Sequence, residues 1–528
     1  MDAVDCGPTL LNFNNPQNHA ANTLQLIDPD FAATYNDYHL VKRLFESDLF
    51  DFNEVLFPVS LDDFLDRFFV MPPYLRAAAC ALAVSKLFVE FPELLLIRYF
   101  RQAKKFVEQH RSKPTLEMLQ AIRIMGELAE GTGQIQYGQK LFEMEIHLYF
   151  RLRLNLDPDD PTTLYHRVPD QQKEWQRYVY HIAASYQKDL KLSGLLSPTM
   201  AKIHFDVSSV KLPKRLQNTG FLELSQGCDT LFRVKNHFTK PPANMMDLIV
   251  SPDLTILTQE CMQFIAQVPE EHILVSTTDG YERFRLQLLK EPSWVHFYNM
   301  ILLSMRCLTV LCMLHRPQVY LLAYLCRQSS VLSDSNILSQ LLHALKQATE
   351  AAQCVANLTS FILQAMSDPT VIGGLDVFDA AIMLWFALCH VPRVWQDQIS
   401  LNRVEASKGL YSILQFVHLV DSNMKAGNST QDDSASPSVL SPIVLCINAF
   451  ALEVSGISGP ALGIHSLELA MTVMSMSDES DDLQPIAIGQ EPMAYLGLLG
   501  VSVMGGVIWT SPTEPLWAIF WKNVQIIK

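Results

Sequence analysis

Apolar residues recur along this chain at helical spacing. Trp175, Tyr178, Val179, Ile182, Ala183, Tyr186 and Leu190 form one broad stripe when wound at 3.6 residues per turn. On that winding Lys173, Glu174 and Arg177 turn to water. Met118, Ala121, Ile122, Met125, Leu128 and Ala129 repeat the pattern. Ahead of them, Lys113-Pro114-Thr115 predicts a helix start, with Thr115 as N-cap and Glu117 in the first turn, where the helix dipole favours a negative charge. Gly131 and Gly133 predict the end of that helix, and Leu141, Met144, Leu148 and Leu152 form the next stripe. Strand-like alternation is scarce. The expected fold class is therefore all-α, a large multi-helical body built by packing helix on helix.

Composition then divides the chain. Residues 1–35 are polar and asparagine-rich, with Asn12, Asn14, Asn15, Asn18 and Asn22 close together, and predict a mobile tail. Apolar periodicity is nearly continuous over 36–423, the expected main helical domain. Residues 424–442 read as a flexible polar loop, because Gly427, Asn428, Ser429, Thr430, Gln431, Asp432 and Asp433 offer little to bury. The C-terminal block, 443–528, predicts further helices packed on the main domain, after a second acidic break at Ser477–Asp482. No repeat of fixed period appears, which weighs against a regular solenoid.

Charge and cysteine usage narrow the function. Forty basic residues against fifty-five acidic ones give a net charge of −15, and a surface of that sign repels phosphate backbones. The ten cysteines contain no CxxC pair, the usual source of converging thiolates in a structural zinc site. Most sit in apolar runs, where a free thiol acts as a small hydrophobe. Residues 1–7 show no positive-then-apolar sequence, so no secretory signal is expected. Two apolar runs approach membrane length. Asn299–Leu314 contains Ser304 and Arg306, while Met493–Trp509 is interrupted by Gly497, Gly500, Gly505 and Gly506. Both read as buried helices of a large core, so no membrane is expected.

The order of segments resembles a known family. Met71-Pro72-Pro73-Tyr74-Leu75-Arg76-Ala77-Ala78-Ala79-Cys80-Ala81-Leu82-Ala83 is similar to the Pro-Pro and Leu/Ala-rich helix near the start of the fungal-specific transcription factor regulatory domain. This domain is the middle homology region of Zn(II)2Cys6 factors. Leu40–Leu65, with Phe57-Pro58, resembles its aromatic lead-in. Tyr99-Phe100-Arg101-Gln102-Ala103 and Pro114-Thr115-Leu116-Glu117-Met118-Leu119-Gln120-Ala121 resemble the next two phrases. Glu145–Asp157 falls where the family has a leucine-rich helix end. Lys173–Tyr180 resembles its charged tryptophan helix, and Leu314-His315-Arg316-Pro317 its Leu-His-Arg-Pro phrase. The match spans roughly residues 38–320. Such factors usually read DNA through six cysteines around two zinc ions, and these residues hold no such cluster.

The resemblance implies a regulator of transcription, resident in the nucleus or shuttling between it and the cytoplasm, whose helical body binds protein partners of the transcription machinery, a DNA-binding partner or a small-molecule effector. DNA contact would then be indirect, or made by a zinc cluster outside these residues. Candidate motif residues are Trp175, Tyr178, His315 and Arg316. Trp175, Tyr178 and Tyr186 lie on an apolar stripe, which favours core packing over ligand contact. Arg316 either caps a helix ending at Pro317 or serves an effector pocket. The basic run Arg98, Arg101, Lys104, Lys105, Arg111 and Lys113 reads as a wet helix face before a phosphate-contacting one. Lys211–Arg215 is a weak candidate for nuclear import. The Ser477–Asp482 cluster is a candidate partner contact; the acidic-aromatic stretch Phe45–Phe57 is another, though packing within the domain is favoured for it.

Reactive constellations are missing from the sequence. Gly456-Ile457-Ser458-Gly459 lacks the spacing of a nucleophile elbow, and Gly131 and Gly133 lack the third glycine of a dinucleotide loop. Cys307, Cys312 and His315 share overlapping faces of an apolar helix, which favours burial over metal binding. Asp159 and Asp160 read as a solvated turn and not as a general acid and base. No enzyme activity, cofactor or metal is expected. The alternative is a helical small-molecule-binding protein or an enzyme with an interior pocket.

Overall fold

The computed structural model describes residues 34–46, 61–87, 93–131, 135–162, 167–192, 203, 205–274, 294–327, 335–365, 377–426 and 441–458. Short pieces at 502–503, 507–508, 516–517 and 519–520 are also described. The fold is all-α, as the stripes predict. It divides into two compact units: residues 1–187, 196–217 and 422–439 form the first, and 188–195, 218–421 and 440–528 the second.

The first unit opens with α1 (Tyr35–Glu46), α2 (Leu61–Asp66), α3 (Pro73–Lys86) and α4 (Glu93–His110). It continues through α5 (Leu116–Gly131), α6 (Ile135–Arg151) and most of α7 (Asp170–Leu192). A reciprocal capping box starts α1: the Asp37 carboxylate accepts from the Thr34 amide at 2.6 Å, and the Asp37 amide donates back to the Thr34 hydroxyl at 3.3 Å. Helix α3 is buried from Ala77 through Val84. Its small side chains let α1, α4 and α5 pack against it. The sequence-read start of α5 holds, since the Thr115 hydroxyl accepts from the Met118 amide at 3.2 Å. Gly126 sets the approach of α5 to α6, because a methyl group there would stand 2.9 Å from the Phe142 ring.

The second unit contains α8 (Phe221–His237), α9 (Asp247–Val250), α10 (Pro252–Gln267), α11 (Trp294–Arg327) and α12 (Ser335–Ala365). After these come α13 (Phe378–Cys389), α14 (Arg393–Gln398), α15 (Arg403–Ala426, its last turn counted with the first unit) and α16 (Ser441–Ser458). The centre is α13, with every residue from Phe378 to Leu388 buried. A helix apolar on all sides is a core helix, and each large side chain it hides from water contributes about 1.5–3 kcal/mol. Helices α11, α12 and α16 surround it.

Several sequence expectations are corrected. Helix α11 does not end at Pro317 but continues to Arg327. Proline removes the bond to the Met313 carbonyl at a cost of about 3 kcal/mol. The buried run Val319–Ala323 packs the following turns firmly enough to outweigh it. The expected buried helix over 493–509 is replaced, in its described part, by a short antiparallel pair that sets Ser502 opposite Ile508 and Val503 opposite Val507. β-Branched Val503, Val507 and Ile508 suit an extended backbone. The basic run is wet only past the end of α4: Arg98, Arg101, Lys104 and Lys105 on the helix are half-buried, whereas Arg111 and Lys113 in the following turn are exposed. Among the described residues one helical stretch, His296–Leu325, is long and apolar enough to cross a membrane, yet 83% of its most apolar window is buried inside the protein. The tail through residue 33, the loop at 427–440 and the Ser477–Asp482 cluster lie outside the described residues. So does most of Phe45–Phe57, of which Phe45 itself is buried.

Candidate functional site

Of the four candidate residues, Trp175 and Tyr178 belong to the first unit, and His315 and Arg316 to the second. In the second, Arg316 projects from the middle of α11 and is fully buried, paired with the carboxylate of Asp379 in the first turn of α13. The helix-capping role does not describe it, because the helix runs on past Pro317. Burial works against its charge, and a guanidinium cannot neutralise itself by losing a proton, so the Asp379 carboxylate is its compensation. One turn on, the Tyr320 ring packs on Phe386 at 4.5 Å, and its hydroxyl makes no hydrogen bond. Burial pushes that phenol up to about 12.

His315 is buried and its Nδ1 lies 3.3 Å from the Gln318 side-chain oxygen, while the Gln318 amide donates to the Leu248 carbonyl at 3.0 Å. Burial lowers the imidazole below its ordinary range; the Gln318 contact opposes this, and His343 adds to it. Cys312 donates to the Ala348 carbonyl at 3.8 Å. Burial pushes the Cys307 and Cys312 thiols each up to about 12, so neither supplies a thiolate near neutral pH. Among the described residues no group of three His, Cys, Asp or Glu side chains is poised as a metal site. Cys307, Cys312 and His315 are all buried side chains of α11.

In the first unit, α7 carries an ion network that the periodicity misplaced. Arg177, expected in water, is 6% exposed. Its guanidinium donates to Asp157 at 2.8 and 3.2 Å, to Asp159 at 2.6 Å and to Glu174 at 2.7 Å. Lys173 adds a bond to Asp159 at 3.0 Å. The segment around Lys211 closes the network: its amide donates to Asp157 at 2.7 Å, its ammonium reaches Asp159 at 3.0 Å, and the Lys214 amide donates to Glu174 at 2.8 Å. Burial alone would raise Asp157. The bonds from Arg177 and from the amides of Asp159 and Lys211 outweigh it and hold the carboxyl below its usual range. Lys173, Lys211 and Arg177 hold Asp159 well below that range. Asp160 is the turn residue expected, accepting from the Thr162 amide at 2.8 Å. The Lys211–Arg215 stretch considered for nuclear import is therefore tied down on α7.

Tyr178 is buried, with the Arg215 guanidinium 5.5 Å from its ring centre. Trp175 is half-buried, and its indole nitrogen makes no hydrogen bond. Beside it Gln176 is 1% exposed, and neither atom of its amide is bonded. Deeper in the unit, Arg123 on α5 bonds Glu127 at 3.0 Å and lies 3.2 Å over the Tyr186 ring. It approaches the buried Glu145 of α6 only to 3.8 Å. Tyr99 donates to Asp37, joining α4 to α1.

Sequence reasoning missed Asp379, Asp157, Gln176 and Glu145. The first two reach their arginines across loops, and the last two fall on faces where helical spacing alone placed nothing reactive. These ion pairs hold helices together; they do not line up a nucleophile with a base. No protein-family model, no curated protein and no solved structure matches this chain.

Proposed function

We propose that this chain is a non-enzymatic regulator of transcription, a helical contact body of the kind found in fungal zinc-cluster factors. The observation that carries the reading is the ordered run of family-like phrases from Met71-Pro72-Pro73 to Leu314-His315-Arg316-Pro317. Its principal phrases fall on α3, α4, α5, α7 and α11. The chemistry of the described interior agrees with contact in place of catalysis: Arg316, Arg177 and Arg123 are each engaged with carboxylates, and the buried thiols are pushed up. With a net charge of −15, the protein reaches DNA through a partner, or through a segment outside these residues.

A small-molecule effector is the second reading, and one feature favours it. Gln176 and Trp175 present buried polar atoms without bonds on adjacent positions of α7, which a polar ligand could satisfy.

A tethered reporter tests the main reading. The full chain, fused to a heterologous DNA-binding domain and driven into the nucleus, should change reporter output several-fold. An inert fusion at normal abundance in the nucleus would reject it.

A further inference from the structure

We propose that Arg123, Glu127 and Glu145 form a proton-operated switch in which the protonation of Glu145 decides how firmly α5, α6 and α7 are held together. The two carboxylates compete for one guanidinium. Glu127, on the same helix as Arg123, holds it at 3.0 Å, whereas Glu145 stands 3.8 Å away, beyond hydrogen-bond reach.

The two glutamates differ in surroundings. The Glu127 side chain is 31% exposed, within reach of solvent. Glu145 is 3% exposed, and its hydrogen bond is a long one from the Tyr149 hydroxyl at 3.4 Å. That same hydroxyl lies closer to the Val179 carbonyl of α7, at 3.1 Å. A carboxylate taken out of water with so little in return favours its neutral form.

The groups facing Glu145 are Arg123 and Glu127 from α5, Tyr149 from its own helix and, through Arg123, Tyr186 from α7. Burial raises Glu145 most, Arg123 opposes it and Glu127 adds to it, bringing the carboxyl to about 7. As pH rises the proton leaves for solvent, and an ionised Glu145 then draws Arg123 away from Glu127 and from the Tyr186 face. This change reaches all three helices because Arg123 touches α5, α6 and α7 side chains.

A carboxyl whose folded value is raised stabilises the fold below its unfolded value and loses that contribution as pH climbs through the folded one. The window is therefore about pH 5 to 8. Hydrogen exchange with mass spectrometry on the full chain, corrected for the pH dependence of intrinsic exchange, reads it locally. Protection of peptides from 116–131, 135–151 and 170–187 should fall roughly fiftyfold from pH 5 to 8 in the wild type. Glu145→Gln, fixed in a neutral form, should remove that dependence. Glu127→Gln, at a half-exposed site that tolerates change, should move the transition to lower pH by leaving Arg123 to Glu145. Equal pH dependence in wild type and Glu145→Gln would overturn the switch. If Glu145→Gln does not fold, an unshifted transition in Glu127→Gln would do the same.

Discussion

Replacing Asp379 with asparagine should destabilise the second unit by about 3–5 kcal/mol, the usual cost of stripping one partner from a buried ion pair. The magnitude follows from where the two charges sit. Arg316 has no exposed surface and the Asp379 side chain is 8% exposed, so water can replace neither partner. Arginine keeps its proton, and Asp379→Asn therefore leaves a charge buried without this carboxylate. Arg316→Met should cost less, because the remaining Asp379 can take up a proton and stands in the first turn of α13, where the dipole favours a carboxylate. The double variant Arg316→Met with Asp379→Leu should return to within about 1 kcal/mol of wild type or exceed it. Urea unfolding followed by tryptophan fluorescence is suitable, since Trp385 on α13 stacks on Phe450 at 4.2 Å and bonds Glu453. A loss under about 0.5 kcal/mol for Asp379→Asn would refute the reasoning, because the pair would then carry no structural weight.

Three further outcomes follow from the geometry. Gln176→Met removes a buried amide with no hydrogen bond, so it should raise stability by about 1–3 kcal/mol in a thermal or urea titration; a clear loss would mean that the amide has a partner in solution. Asp157 is held below its usual range, so the stability it contributes is present above the ordinary aspartate value and is lost as pH falls through the lowered one. An acid titration of Asp157→Asn should lack that part of the wild-type loss, and superimposable curves would count against the network. Fluorescence anisotropy of the purified chain with duplex DNA at low salt should show no sequence-selective binding, as an acidic body predicts; tight, salt-sensitive binding to one sequence would contradict the reading of indirect contact.

Helix identity was legible where one face is clearly apolar. The stripes of α5 and α7 and the Thr115 cap followed from spacing and local chemistry alone. Errors arose where tertiary packing overrode a local rule. Pro317 looked like a stop, but α12 and α13 hold α11 together on both sides of it. Arg177 lies off the apolar stripe and looked wet, yet a strand of chain around Lys211, over thirty residues later, covers that face and brings amides to its carboxylate partners. No periodicity signals a strap of that kind. The Arg123 cluster was hidden for a related reason: Glu145 is a polar residue inside a helix, and its burial comes from the packing of α6 in the tertiary fold, not from local spacing.

The claim that this body serves transcription is met most directly by chromatin immunoprecipitation of the intact protein from its own cells. The account predicts reproducible enrichment at discrete promoters. Signal indistinguishable from background across the genome, with the protein expressed at its normal level, would contradict it.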